Sequence, residues 1–300
     1  MQNQIYDIII IGAGPAGMTA AIYAGRANKT VALVDKYGFG GNIANSPLVE
    51  NIPGFMQITG LDFASNMFAQ VEALDSVTTF VNEVILVQYQ YGLFKIWFDD
   101  NTFIVSKSII IATGTTHKKL NLDTNDIYYC ATCDGPFFKN KTVFVVGSGN
   151  TGATYALDLA QYCKQVYLCD ITMDMCCEQI LKSRIEQTEN IQWLSNTTIV
   201  EAKNNKKNKL DTVTLSTGEK IKCNAIFAAI GQTPQTKLFE IFTSQDKNGY
   251  IIANDCIVTK VPGVFAAGDC RSNGVKQVTT ACSDGTIAAI NAIKFLANIK

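Results

Sequence analysis

Tyr6-Asp-Ile-Ile-Ile-Ile-Gly12-Ala-Gly14-Pro-Ala-Gly17 is the stretch that decides the fold of this chain. Its run of isoleucines has no polar face, the pattern of a strand covered on both sides. Three glycines follow at the spacing Gly-x-Gly-x-x-Gly, and Met18 to Ala27 then reads as a helix. Thr30 to Val34 reads as the next strand and runs into Asp35. Strand, glycine turn, helix, strand and terminal acid make the βαβ unit that holds a dinucleotide. Gly12 makes the turn, Gly14 lets the backbone approach a pyrophosphate, and Gly17 lets the helix lie close to the strand. The helix N-terminus attracts phosphate. Asp35 can accept hydrogen bonds from a ribose 2′-hydroxyl.

The pattern recurs. Lys141 to Val146 reads as a strand, Gly147-Ser-Gly149-Asn-Thr-Gly152 as a second glycine turn, and Thr154 to Tyr162 as a helix. Gln165 to Cys169 is the following strand, and it meets Asp170. Gly147, Gly149, Gly152 and Asp170 form either a second nucleotide site or a structural turn that binds nothing. Ser108 to Ala112 is a further strand leading into Thr113-Gly114. Gly263 to Asp269 is another, ending in a Gly268-Asp269 turn that can set a carboxylate on a polyol. The last helix is expected from about Cys282 to Ala297.

These late segments complete the first unit. The expected fold is therefore α/β, with two Rossmann-like, three-layer dinucleotide-binding domains, the second inserted into the first. The first is expected at residues 1–114 and 244–300, the second at 115–243. Val84–Gln90, Phe94–Phe98 and Phe103–Val105 look like an antiparallel meander added to the first unit. Glu201 to Cys223 looks like its counterpart in the second, with an exposed Lys/Asn-rich turn at 203–209.

Composition excludes several classes. Three hundred residues, 47% of them hydrophobic, suffice for two cores. A net charge of −1 and only three arginines (Arg26, Arg184, Arg271) leave no basic stripe for nucleic acid. Ile8 to Ile11 is far too short an apolar run to span a bilayer, and no signal-peptide pattern is present. A soluble cytoplasmic protein without a membrane partner is expected. Ten cysteines in such a chain are not a disulfide scaffold. Only Cys130 and Cys133 stand at the C-x-x-C spacing. The other eight read as mostly buried thiols, and the neighbours Cys176 and Cys177 receive no role.

Cys130-Ala-Thr-Cys133-Asp134-Gly carries the chemistry. A C-x-x-C at a helix start brings two sulfurs within bridging reach, and the helix N-terminus lowers thiol pKa. A zinc site would need two more ligands. His117 is the only histidine, there is no second C-x-x-C, and no metal is expected. His117 lies in a polar Thr-Thr-His-Lys-Lys stretch and reads as a surface residue. Asp134, if partly buried, can exchange protons with a thiol near neutral pH.

With these pieces placed, the sequence resembles the low-molecular-weight thioredoxin reductases and the related alkyl hydroperoxide reductase flavoproteins. The resemblance spans essentially the whole chain. It rests on Gly12–Gly17, Val49-Glu-Asn51-Ile-Pro-Gly54, Ala112-Thr-Gly114, Cys130–Gly135, Gly147–Gly152 and Gly263–Asp269. The extra N-terminal domain of the hydroperoxide reductase flavoproteins has no counterpart, since the first strand starts at Tyr6. The resemblance implies FAD in the first unit. Gly12, Gly14, Pro15, Ala16 and Gly17 would cradle its pyrophosphate, Asp35 its adenosine ribose, and Asp269, beside Gly268, its ribityl chain. Gly41, Asn51, Thr113 and Gly114 would lie near it, and Gln277 and Val278 would border the ring. Gly40-Gly41-Asn42 departs from the family's Gly-Gly-Gln, which weakens any part for Asn42. The resemblance also implies Cys130 as the thiol that attacks a thioredoxin-like protein, Cys133 as the thiol facing the flavin, Asp134 as proton carrier, and a homodimer.

The electron donor is where the chain leaves the family pattern. NADPH-using members carry His-Arg-Arg where this chain has Asp170-Ile-Thr, and no Lys or Arg occurs from Gln165 to Leu181. Asp170, Asp174 and Glu178 would repel a 2′-phosphate, so NADPH is disfavoured. NADH remains open, because an intact glycine turn with an acid about 20 residues on is the NAD pattern. Ferredoxin is slightly favoured over it, because the ferredoxin-dependent flavin thioredoxin reductases have likewise lost the NADPH clamp. Tyr155, early in the second helix, is expected to crowd a pyrophosphate. A non-catalytic flavin-binding module is the alternative of another class, and it would leave both cysteines idle.

Overall fold

The computed structural model describes residues 4–46, 49–129, 131–255, 257–272 and 274–299, and the side chains of His117, Thr132 and Cys133 are outside that description. The chain divides into two compact units, Met1–Thr116 with Thr233–Lys300, and His117–Gln232.

In the first unit the isoleucine strand spans Ile5–Ile11 and pairs in parallel with Val31–Asp35 on one side and Phe103–Ile111 on the other. Val77–Val81 extends the sheet beyond Val31–Asp35. Alternate residues point to opposite faces, which explains the unbroken isoleucine run. Ile8 and Ile10 join a core with Ala20, Ala21 and Ala24 of helix Pro15–Arg26 and Ala288, Ala289 and Ala292 of helix Val278–Asn298. Ile9 and Ile11 join a second core with Val87, Phe94, Ile96 and Phe98. Each fully buried isoleucine contributes about 1.5–3 kcal/mol relative to exposure. The two helices meet through small residues. A Cβ on Gly285 would lie 2.1 Å from the Ala16 carbonyl oxygen.

The second unit repeats the plan. Its parallel sheet runs Ile191–Leu194, Gln165–Cys169, Thr142–Val146, Ala225–Ala228, Ile127–Tyr128. Val143 and Val145 face Ala153, Ala156 and Leu159 of helix Asn150–Ala160. Phe144, Val146 and Ile226 face Ile199, Leu210, Val213 and Leu215 of a three-stranded antiparallel sheet. Each unit is thus helices, parallel sheet and antiparallel meander, in three layers. The Lys/Asn-rich segment from Asn205 to Lys209 is exposed at the turn of the second meander.

Three expectations needed correction. Phe103–Val105 and Ser108–Ala112 are one strand, Phe103–Ile111, antiparallel to Leu93–Phe98 in its first half and parallel to Val264–Ala266 in its second. The return crossing lies at Gln232/Thr233, ahead of 243/244, because Phe239 and Phe242 are buried in the first unit's meander core. Both glycine-loop helices begin at the loop itself, at Pro15 and Asn150, and the last helix begins at Val278. His117 closes a short strand, Thr115–His117, that pairs with Gln232–Pro234 where the chain crosses between units.

Candidate functional site

The first glycine turn owes its shape to two steric facts. Gly12 has φ +108°, a conformation L side chains rarely adopt. A Cβ on Gly17 would lie 1.8 Å from the Gly12 carbonyl oxygen. Neither requirement involves a ligand. Gly14 is different. A Cβ there would come within 4 Å of nothing but the Gly41 Cα, at 4.0 Å. The protein does not need glycine at this position, and the space it leaves lies at the N-terminus of helix Pro15–Arg26. That is where a pyrophosphate would pass.

The structure brings several of the other expected residues of this unit against the turn and joins others to one another. Asp35 accepts from the Ala13 amide at 2.8 Å and the Tyr37 amide at 2.8 Å. Gly41 abuts Gly14, Gly268 abuts Ala16, and the Ala112 carbonyl crowds Gly12. The Thr113 hydroxyl donates to the Gln235 carbonyl at 2.6 Å, and Gly114 turns the chain at φ +60°. Asn51 Nδ2 donates to Gln277 Oε1 at 3.2 Å, joining residues distant in sequence. Gln277 caps the last helix, and Val278 opens it. Asn42 donates to the Thr115 carbonyl at 3.1 Å. Asp269 is half-buried, and no hydrogen bond to its carboxylate is found among the described residues. Burial holds its pKa above the usual value, opposed by Lys276 and reinforced by Asp284. A carboxylate without bonded partners beside an open phosphate cradle suits a polyol, so the residues present fit FAD.

One supporting pair had no sequence signal. Asp284 accepts from the Gly268 amide at 3.0 Å and pairs with Arg271 at 2.7 Å, both side chains being largely buried. It fixes the Gly268-Asp269 turn from the last helix. Neither residue belongs to a motif, so only the fold reveals them.

In the second unit, Cys130 lies outside the described residues, as does the Cys133 side chain. Their surroundings are described. A single helical turn, Ala131–Asp134, follows Cys130 and continues as a tighter turn over Gly135–Phe138. Asp134 is half-buried, and burial raises its pKa. Burial pushes the phenols of Tyr128 and Tyr155 up to about 12, helped at Tyr128 by its bond to Asp126 and, to a smaller extent at both, by the charge of Asp134. Just upstream, Asp126 is buried and accepts from Tyr128, Lys209 and the Leu210 amide. These bonds hold its pKa low against the opposing effect of burial.

The second glycine turn matches the first in backbone. Gly147 has φ +105°, and a Cβ on Gly152 would lie 1.8 Å from the Gly147 carbonyl oxygen. Gly149, like Gly14, has open space where a Cβ would be. Asp170 accepts from the Ser148 amide at 2.7 Å, the Ser148 hydroxyl at 2.8 Å and the Thr172 amide at 3.2 Å. What differs is the segment after Asp170. The Cys176 amide donates to the Ser148 hydroxyl at 3.2 Å, and Asn150 and Glu178 exchange bonds at 2.9 and 2.8 Å. An acidic segment is laced to the turn, and Lys182, the first cation beyond it, pairs with Asp174 at 3.9 Å. Tyr155 does not crowd this turn as expected. Its hydroxyl reaches the Tyr129 carbonyl at 2.6 Å.

Among the remaining described cysteines, Cys163, Cys169, Cys223 and Cys270 are buried, Cys177 and Cys282 half-buried, and Cys176 exposed. Cys256 lies outside the described residues. Among the described residues no group of three or more side chains is placed to hold a metal ion, and no helix is long and apolar enough to cross a membrane.

Paired glycine turns and a C-x-x-C-Asp segment on two α/β units define a class, and comparison with known proteins gives it a name. The family model for pyridine nucleotide-disulphide oxidoreductases matches residues 6–285, and the chain belongs to that family. Thioredoxin reductase of Bacillus subtilis (strain 168) is 36% identical over 307 residues, covering 96% of this chain and 94% of that protein. Thioredoxin reductase of Mycoplasma genitalium is 34% identical over 298 residues, covering 95% and 94%. The crystal structure of Lactococcus lactis thioredoxin reductase in its FR conformation superposes with a TM-score of 0.93 at 32% identity, covering 98% of this chain and all (100%) of that one. The crystal structure of T. acidophilum thioredoxin reductase superposes with a TM-score of 0.91 at 33% identity, covering 97% of this chain and 99% of that one. The fold is the two-unit Rossmann-like architecture of these reductases.

Proposed function

We propose that this chain is an FAD-dependent reductase of protein disulfides, acting on a thioredoxin-like protein through Cys130 and Cys133. The observation that carries the reading is Asp134, a half-buried carboxyl with raised affinity for its proton, directly after Cys133. The first unit would hold FAD through the open cradle at Gly14 and the unbonded carboxylate of Asp269. FAD, when bound, supplies a two-electron reductant for the disulfide. Cys130, as thiolate, attacks the partner's disulfide along the S–S axis and forms a mixed disulfide. Cys133 attacks Cys130 in that adduct, closes the Cys130–Cys133 bridge and releases the partner as a dithiol. Asp134 gives a proton to the departing thiolate and regains it when the bridge is next reduced. The protein would work in the cytoplasm, where thiols stay reduced, and as a homodimer by analogy with its relatives.

For the donor, we favour a reduced ferredoxin-type protein. The acidic segment laced to the second glycine turn offers no cation for a 2′-phosphate, which tells against NADPH. NADH is the second reading, favoured by the open Gly149 position and by Asp170 at the ribose-binding place.

The exit route is tested by trapping. A thioredoxin lacking its resolving cysteine, its remaining thiol activated as an aromatic mixed disulfide, is added to Cys133→Ser. Cys130 should displace the coloured aromatic thiolate and leave a stable covalent adduct. No adduct, or an adduct that persists in Cys130→Ser, would overturn the proposal.

A further inference from the structure

Helix Asn150–Ala160 presents one face to the segment that carries the cysteines. From it the Tyr155 hydroxyl donates to the carbonyl of Tyr129 at 2.6 Å. Tyr162, two residues past the end of that helix, reaches the carbonyl of Ala131 at a longer 3.5 Å. Tyr129 and Ala131 are the two sequence neighbours of Cys130. Tyr162 also seals the turn that follows: a Cβ on Gly135 would lie 2.1 Å from its hydroxyl and 2.9 Å from Leu159 Cδ2. Both tyrosines pack into the helix-side core of the second unit. Burial raises both phenol pKa values, Tyr155 to about 12, so both hydroxyls stay protonated and remain donors at neutral pH. Tyr155 on this helix and, more weakly, Tyr162 just past its end therefore hold the backbone on either side of Cys130. The sequence motif alone, C-x-x-C-Asp, supplies no such restraint upstream of its first cysteine.

We propose that Tyr155, with a smaller part for Tyr162, is a positioning residue that pre-organises Cys130 for closure of the Cys130–Cys133 disulfide. This rests on the reading of those two cysteines as the working pair. Closure is an intramolecular reaction, and its equilibrium is set by how far the two thiols are already held at bridging distance. A hydrogen bond to a shielded carbonyl restrains the segment enough to shift that equilibrium about three- to tenfold. Tyr155→Phe keeps the ring and its packing and removes only the donor.

The test equilibrates FAD-loaded protein with mixtures of reduced and oxidised glutathione, without oxygen. Two protein thiols and one glutathione disulfide become one protein disulfide and two glutathione thiols, the electron pair passing to glutathione. The free thiols at Cys130 and Cys133 are then alkylated and counted by mass spectrometry. Tyr155→Phe should lower the equilibrium constant for closure about three- to tenfold, and Tyr162→Phe less, with the protein still folded and the flavin spectrum unchanged. A constant within about twofold of wild type in folded Tyr155→Phe would overturn the inference. If Tyr155→Phe does not fold, Tyr162→Phe decides: a lowered constant supports the inference and an unchanged one overturns it. Failure of the wild-type protein to form the Cys130–Cys133 bridge in any mixture would instead sink the functional reading beneath it.

Discussion

Among single residues, two aspartates in the second unit show how burial of a carboxyl becomes either a tool or a cost. Asp134 is half-buried beside the cysteines with its pKa raised. Its acid form therefore persists to higher pH than that of an exposed aspartate, and donation to a thiolate weakens as pH rises through the folded-state pKa. Asp134→Asn should slow reduction of a protein disulfide about 100-fold and abolish that limb of the pH–rate profile, measured by steady-state turnover. Asp158 carries the same burial without the same use. Its Oδ2 is buried and has no hydrogen-bond partner among the described residues, and burial raises its pKa. The folded state thus holds this proton more tightly than the unfolded chain does. Stability falls as pH rises from the unfolded value, about 4, through the folded one. Asp158→Asn should stabilise the protein at neutral pH by about 1 kcal/mol in urea unfolding and flatten that pH dependence. Asp134 was legible in the sequence because it adjoins Cys133. Asp158 was not, because nothing in the sequence marks the one acid of its helix as buried.

At the scale of the element, the glycine turns separate structural from ligand-driven glycine. Gly17 is demanded by the protein, since a Cβ would meet the Gly12 carbonyl oxygen at 1.8 Å, whereas Gly14 has open space. Gly17→Ala should therefore disrupt the fold of the first unit. Gly14→Ala should leave the Tm of the apoprotein unchanged yet weaken FAD binding at least about tenfold, read by flavin fluorescence titration. Both βαβ units were legible because periodicity and steric demand speak in the same residues. Phe103–Ile111 was not legible as one strand. Ser106 and Ser108 interrupt its apolar run, although both are buried and bond to the carbonyls of Ser108 and Gly263. Side-chain satisfaction of this kind does not show in a hydrophobic pattern. The last helix hid its first turn behind Val278-Thr-Thr, weak helix formers that the Gln277–Thr280 capping box overrides.

Across the whole molecule, the chain repeats one plan twice and makes the copies chemically unlike. The first unit keeps an open cradle and an unbonded acid, Asp269. The second keeps the glycine geometry but laces Cys176 and Glu178 to its turn. Sequence showed the missing cations there, while the lacing is a tertiary fact carried by Ser148 and Asn150. Mixed without oxygen in a stopped-flow cell, reduced ferredoxin should bleach the flavin faster than NADH, and NADPH should do so slowest. Fast bleaching by NADPH would overturn this account of Asp170-Ile-Thr. The exit of electrons is tested most directly by bypassing the donor. The bound flavin is reduced photochemically and oxidised thioredoxin is added. The account predicts two new thioredoxin thiols per flavin reoxidised, none of them in Cys130→Ser. Reoxidation by thioredoxin without thiol formation, or equal thiol yield in the variant, would contradict it.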